Sequence, residues 1–467
     1  MALHTFKRGL KLDPRKHATE GKAIEIVPPP EQVVIPVNQH FGAPNKCIVS
    51  VGDIVKRGQR IAEGAAPGPM TVPVHASISG TVKKIEPRVL PNNTEGLCVI
   101  IDNDNGNETD FMPPLDPYTC TKDEALQRVR DAGIIGMGGA GFPTHVKLNP
   151  PPNKPIDTII ANGAECEPYL TTDEAVMTER ADAFIQGLLI TMKITSVKKA
   201  IIGLENNKAA LIPILTKEIA KQNCTDSVSL GLCKTLYPQG GEKLLIKALT
   251  GREVPSGGLP MDVGCIVSNV RTLVAIAEAF YQGKPLIDRD LTVSGGACKK
   301  PKNIRAPVGT FLTELPEDFL EIDYSVIRKV IYGGPMMGFA LPSASVPIQK
   351  NTSGIILLTQ KEIFAEEEST CIRCGRCIKN CSCRLSPVVI NKALEAADLD
   401  EALAAGLLDC IECGTCSYMC PGRIKLTQRF RAGKQRLRIR QQASQEAAKA
   451  AAERAKRMAE HFKEKES

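Results

Sequence analysis

The sequence predicts a multidomain chain of α/β and β units that closes in a helical, metal-binding segment. Three observations lead there. The chain has 467 residues and is 43% hydrophobic, enough for three or four domains with their own cores. Short apolar runs broken by turn signals fill its first hundred residues, and β-runs alternating with helical patterns follow. Two compact runs of four cysteines stand near the C-terminus.

Composition narrows the class. With no Trp and 4% aromatic residues, the cores must rest on Val, Ile, Leu and Ala. No stretch approaches the roughly 18 uninterrupted apolar residues of a membrane helix, and no signal-peptide core is visible, so the chain is expected to be soluble by itself. Seventeen cysteines, eight in the two runs and the rest scattered singly, fit a reducing cytoplasm. The net charge of +7 is concentrated at one end: within 421–467 fourteen Lys and Arg stand against five Glu, a net of +9, which leaves −2 for everything before. That basic tail has strong helix formers and no Pro or Gly after Gly433. It is expected to be a solvated helix, or one that meets an anionic membrane surface or an acidic partner. Nucleic acid is disfavoured, because no aromatic residues interleave with the basic ones.

From residue 31 to 102 the pattern is that of a small β domain, as in Val51-Gly52-Asp53-Ile54-Val55 and Ile78-Ser79-Gly80-Thr81-Val82. A Pro-rich linker over 112–117 and a helical run then lead into Gly136-Met137-Gly138-Gly139-Ala140-Gly141-Phe142-Pro143-Thr144-His145-Val146-Lys147. Its glycines let backbone approach a phosphate, and a following helix N-terminus would add its dipole. A plain glycine turn would look the same. Two more segments carry chemistry: 158–169 is a β-run that delivers an amide, Asn162, and two carboxylates, Glu165 and Glu167, onto a loop, and Tyr237-Pro238-Gln239-Gly240-Gly241-Glu242-Lys243 is a second glycine turn with a carboxylate. His145 beside the glycine loop is expected to be structural. From 283 to about 338 short strands with Gly turns follow, and Glu366, Glu367 and Glu368 mark a polar boundary before the cysteine runs.

Each run, Cys371, Cys374, Cys377, Cys381 and Cys410, Cys413, Cys416, Cys420, has the C-x2-C-x2-C-x3-C spacing. In two-cluster ferredoxins three thiolates of such a run hold one 4Fe-4S cluster and the fourth crosses to the other. Cys371, Cys374, Cys377 and Cys420 are therefore expected at one 4Fe-4S centre, and Cys410, Cys413, Cys416 and Cys381 at the second. Zinc and disulfides fit two complete runs poorly. Cys383 follows Cys381 by two residues, and the usual Pro is absent there, so Cys383 is an alternative fourth ligand. The 388–408 segment between the runs, rich in Ala and Leu at helical spacing, makes this a helix-linked arrangement.

The strings VGDIVKRGQRIAE and VHASISGTVKKIE resemble the halves of a barrel-sandwich hybrid, the fold of lipoyl and biotinyl carriers. No lysine lies between Lys56 and Lys83, where a carrier would bear its prosthetic group, so a docking or structural role is expected instead. The glycine segments, with Val267-Ser268-Asn269, resemble the FMN and NADH pocket of the flavin-bearing component of respiratory complex I. The whole order of motifs up to about residue 431 is more similar still to the C subunits of Rnf (Rsx) electron transport complexes.

This resemblance implies a barrel-sandwich hybrid over 1–110, a Rossmann-like FMN/NADH-binding α/β domain over 118–282, a β-grasp SLBB domain over 283–360, an α-helical two-cluster ferredoxin domain over 361–430 and a basic helical tail over 431–467. It implies FMN, NAD(H) and two 4Fe-4S clusters as cofactors. Gly136, Gly138, Gly139 and Lys147 would hold the FMN phosphate side, and Asn162, Glu165 and Cys166 would line the isoalloxazine. Tyr237, Gly240, Gly241, Glu242, Ser268 and Asn269 would complete the pocket, with Phe142 stacking on the nicotinamide nucleotide and Glu167 bonded to its ribose. Glu165 and Glu242 would tune the flavin or orient nucleotide and water, since hydride transfer needs no proton donor from the protein. Two positions depart from the complex I pattern: Met137 stands for an arginine and Ala164 for an aspartate.

The implied function is that of an NADH-linked oxidoreductase subunit of an ion-translocating complex, peripheral on the cytoplasmic face of the cell membrane. Its implied partners are the other subunits, with ferredoxin reached through one of them. A soluble flavin and iron–sulfur reductase of the cobalamin-reductase kind, and a non-enzymatic electron-relay scaffold, share these modules and are the alternatives.

Overall fold

The computed structural model describes residues 3–65, 68, 70–91, 94–363 and 367–466, with side chains as far as 454. Glu366, one of the three expected boundary glutamates, lies outside the described residues. The chain forms two compact units, Met1–Ala365 and Glu366–Ser467.

The heart of the first unit is a four-stranded parallel sheet in the order Val228–Cys233, Ala200–Glu205, Thr158–Gly163, Cys265–Asn269. Its strands are apolar on both sides because both sides are covered. Ile159 and Ala161 face a core built with helices Ala181–Thr195 and Val270–Tyr281, while Ile160 and Val267 face a smaller one with helix Glu242–Thr250. Gly187 sets how closely two of these helices approach, because a Cβ there would lie 1.8 Å from the Leu273 carbonyl oxygen. All four strands run the same way, so their carboxyl ends, at Asn162-Gly163, Glu205, Cys233 and Ser268-Asn269, line one edge. In open parallel sheets that edge is where ligands bind.

Two antiparallel sheets make the N-terminal β unit, one ordered Gln32–Pro36, Glu95–Asn103, Gly80–Val89, Ile54–Val55 and the other Asn45–Cys47, Arg60–Gly64, Val74–His75. They share a core that includes Val33, Ile35, Val55, Ile61, Val74, Val82, Val99 and Ile101. A third, mixed sheet of six strands carries Asp288–Ser294 and Gly354–Leu358 at its centre.

The first twenty-odd residues leave the β unit. His4 and Leu10 bridge to Cys233 and Tyr237 at the carboxyl edge of the parallel sheet, and Ile24–Ile26 pairs with 303–305 as the outermost strand of the six-stranded sheet.

In the second unit, short helices Arg376–Lys379 and Thr415–Tyr418 follow the two cysteine runs' loops, and helices Pro387–Glu395 and Leu399–Ala404 lie between. The segment expected as one helical stretch is broken at Ala397, whose φ is 57°, and Asp398 caps the second helix through the amides of Asp400 and Glu401. The basic helix begins earlier than the tail was expected to, at Leu426, and runs to Glu466. Its first turns are core elements: Phe430 and Leu437 are buried against Ile390, Leu394, Ala402 and Leu407.

Candidate functional site

The glycine loop sits just before the parallel sheet begins. The Gly136 amide donates to the Phe142 carbonyl at 2.8 Å, and Ile135 bridges to Pro143, so the chain between them is pinched into a closed loop. Gly138 backs onto Asn269, where a Cβ would come within 3.1 Å of the asparagine Cβ, whereas a Cβ on Gly139 would meet nothing within 4 Å. The loop therefore has one packed and one open glycine. The loop follows a helix, Lys122–Asp131, as the helical run before it leads one to expect, but one expectation changes: the helix after it, Thr144–Lys147, is a single turn. A dipole summed over so few peptides contributes little, so anion binding rests on the loop's own amides.

Around this loop the expected residues are brought together and mostly held by one another. Asn162 donates through Nδ2 to the Gly240 carbonyl at 2.9 Å and accepts from the Ala164 amide at 3.2 Å, tying the end of its strand to the second glycine turn. That turn fits closely: a Cβ on Gly240 would lie 2.2 Å from the Ala164 carbonyl oxygen and 3.3 Å from Cys166 Sγ, which accepts from the Gly240 amide. Gly241 caps helix Glu242–Thr250. Lys147 donates to the Val267 carbonyl at 2.9 Å and lies 3.4 Å from Glu242, so its charge sits between two acceptors at the end of the Cys265–Asn269 strand. Asn269 caps helix Val270–Tyr281 with its oxygen and donates to Asp173, which Arg271 holds at 2.8 Å.

The carboxylates of the 165–167 loop are deeply placed. Glu165 accepts from the Asp173 amide at 2.9 Å, its other oxygen is buried without a hydrogen bond, and burial raises its pKa. Burial also pushes the Cys166 thiol well up, so it is a neutral wall and no thiolate. Glu167, expected at a ribose, has both oxygens engaged: Tyr237 Oη and the Met337 amide donate to one, at 3.2 and 2.9 Å, and the Met336 amide to the other at 3.0 Å. It pins the 334–338 loop to the parallel sheet, and burial lifts its pKa to about 7.

Four residues of this crevice carried no sequence signal of their own. Lys16, on the N-terminal arm, is buried and donates to the Glu165 carbonyl. Glu205 ends its strand fully enclosed, and burial lifts its pKa to about 7 against the pull of Lys16. Arg289 reaches Met137 from the six-stranded sheet. Gln239 lay inside a quoted turn without being singled out; it has no solvent exposure, and neither end of its amide has a partner. With the orphaned Ser268 hydroxyl, it makes the carboxyl edge a place with unmet hydrogen-bonding capacity. A polar ligand bearing donors and acceptors, such as a flavin ring or ribityl chain, would satisfy such groups, and the open glycine leaves room for one. The residues present thus fit FMN.

In the second unit the eight cysteines separate into two cavities. One is lined by Cys371, Cys374, Cys377 and Cys420, the other by Cys410, Cys413, Cys416 and Cys381. The fourth cysteine of each run therefore lines the cavity of the other run. Gly375 and Gly414 follow the second cysteine of each run with φ of 71° and 79°, the left-handed turn that begins each short helix. Local hydrogen bonds hold the sulfurs: the Glu412 amide donates to Cys410 Sγ at 3.4 Å, and Cys413 Sγ donates to Thr415 Oγ1 at 3.3 Å. Four soft donors in an otherwise largely apolar pocket fit an iron–sulfur cluster. Cys383 lines the second cavity too, so the alternative ligand is in place beside Cys381.

Comparison with known proteins finds three domain matches along the chain. Residues 4–106 match the RnfC barrel sandwich hybrid domain, residues 129–278 the Nuo51 FMN-binding domain and residues 364–421 a 4Fe-4S dicluster domain. The chain is 45% identical over 391 residues to the C subunit of the proton-translocating ferredoxin:NAD(+) oxidoreductase complex of Clostridium ljungdahlii, covering 83% of this chain and 84% of that one. The chain belongs to the RnfC family, the C subunits of Rnf-type complexes. Other RnfC relatives are the Na(+)-translocating counterpart of Acetobacterium woodii, 42% identical over 83% of this chain and 86% of that protein, and the C subunit of the ion-translocating oxidoreductase complex of Rhodobacter capsulatus, 37% identical over 94% and 84%. Among the described residues of this RnfC chain, no helix is long and apolar enough to cross a bilayer.

Proposed function

We infer that this protein is the peripheral electron-transfer subunit of a membrane-bound ion-translocating complex, an oxidoreductase that exchanges electrons between NAD(H) and its partner subunits by way of FMN and two 4Fe-4S clusters. The observation that carries it is the sorting of eight cysteines into two crossed sets of four, in a chain whose residues 129–278 match an FMN-binding domain. Bound FMN supplies the conversion between a two-electron hydride and the single electrons that clusters accept.

The chain's own task is positional. The amides of Gly136, Gly138 and Gly139, with Lys147, bind the phosphate side. Asn162 and Cys166 hold the second glycine turn at the flavin's flat surface, and Tyr237, Gly240, Gly241, Glu242, Ser268 and Asn269 complete the wall. Phe142 stacks on the nucleotide. Glu165 tunes the flavin from its buried oxygen. Glu167 acts through the 334–338 loop that it anchors, and any contact to a ribose is shared with that duty. We assign residues 1–110 to the barrel-sandwich domain, 118–282 to the FMN/NADH domain, 283–360 to an SLBB β-grasp domain, 361–430 to a helical two-cluster ferredoxin and 431–467 to the tail. We place the protein on the cytoplasmic face of the membrane, with ferredoxin reached through another subunit.

The test is an anaerobic titration. Clusters are reconstituted with iron and sulfide, FMN is added, and NADH is titrated while flavin bleaching and the EPR signals of reduced clusters are followed. Reduced flavin together with reduced-cluster signals is the expected result. Clusters that form but stay oxidised, with no FMN retained, would favour the electron-relay scaffold.

A further inference from the structure

We propose that Phe41, on a loop of the N-terminal β unit, is a nucleotide-binding residue: with Phe142 it forms an aromatic seat for the adenine base of NADH. The proposal rests on the NADH-oxidising reading of the crevice and extends it to a domain that no part of the electron path otherwise uses.

The two rings come from different domains of the same compact unit and stack with centroids 6.3 Å apart and planes inclined by 23°. Phe41 keeps 53% of its surface exposed, and Phe142 is half-buried, so the pair presents a flat apolar face at the rim of the glycine loop. Single exposed phenylalanines are common and need no explanation. This one is held in place. Its amide donates to the Gly141 carbonyl at 2.9 Å, which fastens the β-unit loop to the glycine loop itself. On the glycine-loop side, Gly141 has a φ of +72°, and a Cβ there would lie 3.3 Å from the Gln39 carbonyl oxygen. On the other side, Gly42 has a φ of +145°, and a Cβ there would fall 2.1 Å from the Met70 carbonyl oxygen, to which Ala43 donates. Gln39 is buried, donating to the Pro36 carbonyl at 3.1 Å and accepting from the Lys350 amide at 3.0 Å.

An exposed ring on so constrained a backbone has lost its freedom before any ligand arrives, so stacking on it costs little further ordering. NADH carries two flat rings. The nicotinamide must face the flavin, which leaves the adenine as the group for an aromatic seat outside the phosphate loop.

The experiment uses the full-length protein loaded with FMN and clusters. Flavin bleaching is titrated anaerobically with NADH and with reduced nicotinamide mononucleotide, which has the same hydride donor and no adenylate half, in wild type, Phe41→Ala and Phe41→Trp. The expected result is that Phe41→Ala raises the NADH concentration for half-bleaching about tenfold and leaves the mononucleotide titration where it was, while Phe41→Trp restores NADH. An equal shift for both donors would make Phe41 a packing residue between domains and overturn the proposal, as would no shift for either. A wild-type protein bleached by neither donor would overturn the NADH reading itself and this proposal with it, a failure visible before any variant is compared.

Discussion

The guanidinium of Arg289 lies against Met137, with Nη1 2.7 Å from the thioether sulfur and Nη2 3.3 Å from the Met137 carbonyl oxygen. Position 137 is where the complex I pattern has an arginine, and here a cation arrives at the same loop from the six-stranded sheet. Burial pulls the Arg289 pKa well down, and the nearby Arg271 adds to this, while Asp173 and Asp290 oppose it. The loop that lacks an arginine at Met137 is thus met by the guanidinium of Arg289.

The side chain of Arg289 fills space and satisfies carbonyls at once, since it also donates to the Thr352 carbonyl. Arg289→Ala would open a void and strand those oxygens, and should lower unfolding free energy by about 3 kcal/mol in urea titrations. Arg289→Met keeps the volume and should lose less than about half of that. Equal losses would mean that the charge, and not the packing, matters to the fold.

Gly139 and Gly240 separate binding from stability. Gly139→Ala meets nothing within 4 Å and should leave the melting temperature within about 2 °C, while FMN retained after gel filtration falls if the open glycine faces the cofactor. Gly240→Ala drives a methyl into the Ala164 carbonyl and should cost about 2 kcal/mol or more whatever is bound.

The crossed cysteines predict which centre each substitution damages. Cys420→Ser, though in the second run, should lower the EPR signal of the centre held by Cys371, Cys374 and Cys377, and Cys381→Ser that of the other. Cys383→Ser should retain both signals and full iron content. Loss of the second signal in Cys383→Ser, with Cys381→Ser unaffected, would exchange their roles.

Glu205 makes stability depend on pH in the direction opposite to a salt-bridged acid. Its folded pKa of about 7 stands above the ordinary 4.5, so the folded state holds a proton that the unfolded chain has released. Stability is therefore undiminished below about 4.5, falls as pH rises through the window to 7, and stays lower beyond it. Glu205→Gln should remove part of that fall, making the variant relatively more stable at pH 8 than at pH 5.5 in matched denaturant titrations. Glu167, lifted to about 7 as well, should keep the remainder of the slope in that variant. A wild-type curve that is flat from pH 5 to 8 would contradict both.

The parts of the site that were legible in the sequence are those whose geometry is local. Cysteine spacing of two and three residues fixes loops by itself, so the crossed partition could be expected from the runs alone. Glycine turns at 136–141 and 240–241 were equally visible, because close approach leaves no room for a side chain. Lys16, Glu205, Arg289 and Phe41 were not, since each reaches the crevice by tertiary placement: Lys16 meets a carbonyl 149 residues away, and Arg289 a sulfur 152 residues away. No window of sequence contains both partners. The helix expected over 388–408 was divided for a subtler reason, the positive φ at Ala397, which composition does not announce.

The strand Ile24–Ile26 finds its partner only at Asn303 and beyond. A ribosome delivers those partners some 280 residues later, so this strand waits unpaired through the synthesis of the β unit and the whole parallel sheet. The arm that carries Lys16 to Glu165 is anchored at that far end, and the crevice acquires its last wall late in translation. The first unit therefore cannot finish in the order in which it is made: its beginning is sewn down by its end.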